Sequence, residues 1–229
     1  MNHNTLDHLW QFPAQARFGQ IIAKDKIYER VTVSAALKKH FVEEVEQIRW
    51  AYKLAPDTIN LPANEDVPEL EIITITLKGE TLANDVLSAI DKAIPLPLIF
   101  EIKRQWGETM QIRYAAAFKE RNAADASQWH CSDYLFSDWM NSDKTEAVTL
   151  PMTINLPALY QQMLAVLLPV PPREAETTGQ TLARVANINS QQKKLSQMKK
   201  KMTTEKQFNR KVELNRKLKT LQQQLNQLY

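Results

Sequence analysis

Within Phe-Glu101-Ile-Lys103 an acidic residue and a lysine stand two apart among strand-forming residues. Side chains two apart on a strand leave from the same face. Metal-dependent nucleases use that pairing, the carboxylate holding a divalent cation while the lysine helps activate the attacking water. Glu101 and Lys103 are therefore the catalytic candidates. Such a site also needs a carboxylate from a neighbouring element, and Glu69, Glu71, Asp85 and Asp91 are available, none at a distinctive spacing. Ordinary alternation of charge on a half-exposed strand accounts for the same tripeptide. His130-Cys131 holds the two halves of a thiol–imidazole pair, but adjacent residues on an extended segment face opposite ways and cannot pair with each other. The other histidines, His3, His8 and His40, have no zinc-site spacing. No metal site and no cofactor is expected. Trp129, Tyr134, Phe136 and Trp139 could stack nucleic-acid bases, form the edge of a core, or anchor a protein interface.

The chain has only four glycines, Gly19, Gly79, Gly107 and Gly179, too far apart for a dinucleotide-binding turn, a Walker A loop or a nucleophile elbow. One cysteine in 229 residues forbids an internal disulfide and a multi-thiolate zinc site. No apolar run reaches the length of a membrane span, and the first residues lack a signal pattern, so a soluble, cytoplasmic protein without a membrane partner is expected.

Charge is unevenly distributed. Residues 181–229 hold 12 Lys and Arg against 2 Asp and Glu, a surplus of ten; residues 1–180 hold 17 against 24, a deficit of seven. The whole-chain charge of +3 thus averages an acidic body and a basic arm. Lys193, Lys194, Lys199, Lys200, Lys201, Lys206, Arg210 and Lys211 crowd the arm, and they are the candidate nucleic-acid contacts. Leu214, Leu218, Leu221, Leu225 and Leu228 alternate spacings of four and three, the seam of a coiled coil, and are the candidate partner-binding residues. A homodimer along this seam would oppose like charges, so the expected target is an acidic partner helix or nucleic-acid phosphates. A second seam, Ile188, Leu195, Met198 and Met202, is out of register with the first. The arm reads either as a hairpin turning near Thr203 or as one helix of about 70 Å with a stutter. The absence of glycine and proline near Thr203 tips the reading towards one long or bent helix.

The elements that position these residues follow from periodicity. Val33, Leu37, Phe41, Val45 and Ile48 make one helical stripe, predicting a helix over 33–50 capped by Thr32 or Ser34. Residues 69–78 are rich in β-branched residues and read as a strand. A helix from Thr81, stopped by Pro95 and Pro97, leads to a second strand beginning at Leu98. Gly107 marks a hairpin turn into a third strand over 110–119, and a fourth extended piece falls within 128–140. Asn155 caps a last body helix with Pro157 in its first turn. Three prolines then begin a linker. The predicted organisation is an α+β body over 1–168, a small mostly antiparallel sheet with helices on one face, then a Pro-rich linker over 169–180 and a basic coiled-coil arm over 181–229.

The segments FVEEVEQIRWAYKLAPDTINLP (41–62), AIDKAIPLPLIFEI (89–102), LPMTINLPALYQQMLAVLLP (150–169) and EKQFNRKVELN (205–215) together resemble a bacterial family known as a domain of unknown function. The resemblance covers nearly the whole chain. Members are often encoded beside Swi/Snf-type helicases and DNA methyltransferases in restriction-modification or phage-defence islands. It implies an accessory or adaptor subunit of a DNA-processing or anti-phage complex, with a helicase- or methyltransferase-containing assembly as its partner. It supplies no catalytic residues.

Overall fold

The computed structural model describes residues 6–122 and 125–229, with side chains for all of these except residues 120–130 and 208. The chain divides into two compact units, one ending at Leu168 and the other running Pro169–Tyr229.

The first unit is built on a seven-stranded, mostly antiparallel sheet. Strands β2 (Arg17–Ile21), β3 (Val45–Leu54), β4 (Leu70–Leu77), β5 (Leu98–Trp106) and β6 (Thr109–Ala116) lie side by side in that order, with β10 (Met140–Asn141) and β9 (Leu135–Phe136) both on β6. Among the described residues, β4 and β5 are the only parallel neighbours in this sheet, joined through helix α4 (Asn84–Ala93). Strand β1 (Leu9–Gln11) pairs in parallel with β11 (Ala147–Thr149), and β7 (Lys119–Asn122) pairs with β8 (Asp125–Cys131). Helices α1 (Lys24–Tyr28), α2 (Ala35–Glu44) and α4 share a core with one face of the sheet. Ile27, Phe41, Val86 and Ile90 meet Ile48, Ile73, Ile75, Phe100 and Ile102 there. α3 (Pro56–Ile59) and α5 (Leu156–Ala165) complete the unit.

The helix predicted over 33–50 ends at Glu44, and the chain continues directly into β3. Val45 and Ile48 fit a helical stripe by spacing, but the following run of β-branched and aromatic residues pairs with β4 from Val45↔Leu77 to Leu54↔Leu70. Pairing with a buried central strand outweighs local propensity. The last turn of α2 is closed by two lysines from elsewhere: Lys24 Nζ donates to the carbonyls of Phe41 and Val45, both at 2.6 Å, and Lys78 Nζ to that of Val42 at 2.6 Å. At its start the Ser34 hydroxyl accepts from the Leu37 amide at 3.1 Å. The Asn155 cap on α5 forms likewise, accepting from the Ala158 amide at 2.8 Å. Gly107 turns β5 into β6 at φ 58°, a left-handed conformation that glycine adopts without the cost of a Cβ.

In the second unit α6 (Thr178–Thr204) and α7 (Phe208–Leu228) form an antiparallel hairpin. This corrects the preference for one long helix. α6 ends where Thr203 and Thr204 turn their hydroxyls back onto the carbonyls of Lys199 and Lys201, an arrangement that weakens a helix. Glu205 then takes an extended conformation and its carboxylate accepts from the Gln207 amide at 2.9 Å. The two out-of-register seams are thereby placed on separate helices. Thr177 and Gln180 form a reciprocal cap, so residues 178–180, expected in the linker, are the first turn of α6.

Candidate nucleic-acid and partner interface

The far end of the helical hairpin is clasped by Arg184. Its guanidinium holds the Glu176 carboxylate bidentately at 2.8 and 2.7 Å and donates to the carbonyls of Leu228 at 3.0 Å and Pro171 at 2.8 Å. Arg173 donates to the Gln227 carbonyl at 2.7 Å, so the end of α7 is fastened to the start of α6 by two arginines. The Arg184 hydrogen bonds hold the Glu176 carboxyl down to about 2. Of the five seam leucines, Leu218 and Leu225 are buried, while Leu214, Leu221 and Leu228 are half-buried.

Lys193, Lys194, Lys199, Lys200, Lys201, Lys206, Arg210 and Lys211 are all exposed, and none takes part in an ion pair among the described residues. The arm's two acids between 181 and 229 are engaged locally, Glu213 with Lys217 at 2.5 Å and Glu205 with the Gln207 amide. At the turn of the hairpin an open hollow of 590 Å³ is lined by Lys201, Lys206, Arg210 and Lys217 together with Glu205 and Glu213. Cations outnumber acids there, the balance an anionic chain would meet.

In the body, Glu101 and Lys103 do leave β5 from one face. They bond to each other at 2.6 Å, with the Thr74 hydroxyl donating to Glu101 at 3.3 Å. Strand parity separates them from Glu71, helix placement from Asp85 and Asp91, and Glu69 is paired with Lys53 at 2.6 Å. Glu101 stands opposite Thr74, and Glu71 opposite Leu98, three residues out of phase and so on the other face. Asp85 and Asp91 belong to α4, which covers that other face. Among the described residues no three His, Cys, Asp or Glu side chains gather as a metal site. Glu101 is thus an ion-paired, nearly buried carboxylate whose neighbours are a lysine and a threonine.

An open groove of 1070 Å³ runs along α4, lined among others by Arg30, Asp85, Ser88, Lys92, Cys131 and Tyr134. Beneath it lies a buried ion pair that sequence inspection missed. Lys119 Nζ meets Asp91 Oδ1 at 2.8 Å and donates to the carbonyls of Ile94 at 3.1 Å and Leu96 at 2.6 Å, capping the end of α4. The Tyr134 hydroxyl donates to the other Asp91 oxygen. Burial raises the Asp91 pKa against the opposing pull of Lys119. Lys119 lies 28 residues from Asp91, so no spacing rule could have joined them. Asp91 lies opposite the stripe of Leu82, Val86, Ala89, Ile90 and Ala93 on the predicted helix, so helical periodicity gave no sign of its burial. Cys131 opens on the groove, but desolvation and the Asp91 charge push its thiol up, the reverse of what a nucleophile needs. The His130 side chain lies outside those described. His40 pairs with Asp85 at 2.8 Å, and that hydrogen bond raises its pKa.

No helix among the described residues is long and apolar enough to cross a membrane. No curated protein and no solved structure matches the chain. The family model described as "Domain of unknown function (DUF4391)" matches residues 11–225. With a match across nearly its whole length, the chain belongs to the DUF4391 family of domains of unknown function.

Proposed function

We propose that the protein is a non-enzymatic accessory subunit of a bacterial DNA-processing or anti-phage defence complex, with the helical hairpin of α6 and α7 as its docking arm. The observation that carries this reading is the run of eight exposed cations on the hairpin and its turn that form no ion pair among the described residues. Cations that outnumber their acidic neighbours attract a polyanion strongly through counterion release. The basic hollow at the turn supports DNA as the target. Partner docking takes an altered form from the one the leucine spacing suggests. Leu218 and Leu225 are already buried, so a partner helix would join the hairpin as a third helix along Leu214, Leu221 and Leu228, which keep partial exposure. The family resemblance supports a helicase- or methyltransferase-containing complex as the source of that helix.

The test is binding of a labelled 20-base-pair duplex to the full chain and to a variant with all eight cations changed to Gln, a residue that keeps helix propensity. The variant is expected to lose duplex affinity by at least tenfold while its helical content by circular dichroism stays unchanged. Equal affinity in the two proteins would remove the arm as the DNA contact. The Glu101–Lys103 pair carries no second reading: Glu71 stands on the other face of the sheet, and no metal-holding group of three forms among the described residues.

A further inference from the structure

We propose that the β5–β6 hairpin of the body carries a stacking site for single-stranded nucleic acid, built from Trp106, Arg104, Trp139, Arg113 and Phe136. Arg104 lies over the Trp106 ring with its guanidinium carbon 4.4 Å from the centroid, and over Trp139 at 4.0 Å. Arg113 lies over Phe136 at 4.3 Å and over Trp139 at 5.1 Å. Rings and guanidinium planes therefore alternate five deep, from Trp106 to Phe136.

Arg104 and Arg113 come from facing strands, since Arg104 pairs with Gln111 and Ile102 with Arg113. The two differ in how their donors are used. Arg104 is satisfied, giving Nε and Nη2 to the Gln111 side-chain oxygen at 3.0 and 2.9 Å and Nη1 to the Glu80 carbonyl at 2.9 Å. Its task within the stack is to hold the two tryptophans. Arg113 makes no hydrogen bond and no ion pair among the described residues, and its Nε is shielded from solvent without an acceptor. Desolvation and the neighbouring Arg104 charge pull its pKa down, and Asp138 opposes them only through space.

A half-buried guanidinium that bonds no protein acceptor leaves its Nη groups open to an anion, which would bind there through charge-assisted hydrogen bonds. The anion must also suit what surrounds the fork, which is aromatic. Trp106, at the tip of the hairpin, is 45% exposed, a large apolar plane open to solvent. Arg104 and Trp139 stand between Trp106 and the fork, so a ligand that supplies a phosphate to the fork and a flat ring to Trp106 is a chain of nucleotides. Bases inside a duplex are already stacked on each other, so the ligand is single-stranded. An acidic peptide would satisfy Arg113 and leave Trp106 uncovered. This inference goes beyond the arm reading: every residue of the stack belongs to the unit that ends at Leu168.

The experiment measures anisotropy of labelled dT20, rU20 and a 20-base-pair DNA duplex with the full chain, Trp106→Ala, Arg113→Gln and the eight-cation arm variant. Trp106 is exposed, so its truncation leaves the fold intact and keeps the test valid if Arg113→Gln lowers the melting temperature. We expect Trp106→Ala and Arg113→Gln each to lose about tenfold in dT20 affinity, within the range for one stacked base, and less than twofold for duplex. A matching loss with rU20 would show that the site accepts either sugar; no loss with rU20 would restrict it to DNA. The proposal is overturned if the wild-type chain does not bind dT20, or if Trp106→Ala binds it as tightly as wild type. It is equally overturned if the losses on dT20 and duplex are equal, or if a 20-residue polyglutamate displaces dT20 as well as unlabelled dT20 does. The arm variant, read on duplex, tests the arm separately.

Discussion

Glu71 offers a quantitative test of how this sheet is held together. It sits on β4 with no exposed surface, facing the helix-covered side. The Trp50 indole donates to one of its oxygens, and the other has no partner. Lys53 is taken by Glu69 at 2.6 Å, and the Glu69 charge itself opposes ionisation of Glu71. Burial therefore pushes the Glu71 carboxyl from its ordinary 4.5 up to about 8. Between those two values the folded chain binds a proton that the unfolded chain has released. Stability contributed by this group is full below pH 4.5 and is lost as pH rises through about 8. The slope is about 1.4 kcal/mol per pH unit, or about 3–4 kcal/mol between pH 5 and pH 8. Glu71→Gln keeps an acceptor for Trp50 and has no proton to lose. Urea unfolding followed by tryptophan fluorescence should find the two proteins within about 1 kcal/mol at pH 5, and the variant more stable by about 3 kcal/mol at pH 8. Parallel curves for the two proteins across this range would show that Glu71 ionises normally in the folded state, and the reasoning would be refuted.

Two further substitutions probe contacts that hold the units in shape. Lys119→Met leaves Asp91 and the end of α4 without their cation, and should cost about 3–5 kcal/mol, read as a fall in melting temperature; Lys119→Met combined with Asp91→Leu should recover part of it. A melting temperature unchanged by Lys119→Met would show that the buried pair contributes nothing. Arg184→Ala releases Glu176 and the carbonyls of Pro171 and Leu228, so limited proteolysis should cut within residues 169–229 at protease doses that spare the wild-type chain. The same loosening is expected in acid, because the depressed Glu176 carboxyl stabilises the clasp above pH 4.5 and loses it as pH falls towards about 2. Equal cleavage of both proteins at neutral pH would argue against the clasp.

Local chemistry was the legible part of this fold. The β-branched run of β4, the glycine turn at Gly107 and the Ser34 and Asn155 caps all act over a few residues, and each formed where the sequence placed it. The end of α2 was not legible, because Val45 and Ile48 satisfy a helical stripe and a buried strand alike, and only the presence of β4 decides between them. β1 and β2 were missed for a similar reason. Leu9–Gln11 is three residues long and exists through its pairing with Ala147–Thr149 and the hydrogen bond from the Trp10 amide to the Tyr114 hydroxyl. Within the arm the register break between the two seams was visible, but its meaning lay in Arg184 reaching Leu228 across 44 residues. The basic cluster was fully legible, since charge and exposure at a helix surface depend on composition. The guanidinium–aromatic stack was half legible: Phe136 and Trp139 were noticed as aromatics, whereas Arg104 and Arg113 acquire meaning only when β5 and β6 bring them together.

Salt dependence of duplex binding tests the arm as a polyanion contact most directly. If all eight cations meet phosphates, log Kobs for duplex DNA against log salt should fall with a slope of about −7, and each pair of cations replaced by Gln should flatten it by about 2. A slope near zero in the wild-type chain, or one left unchanged when all eight cations are replaced, would contradict the account.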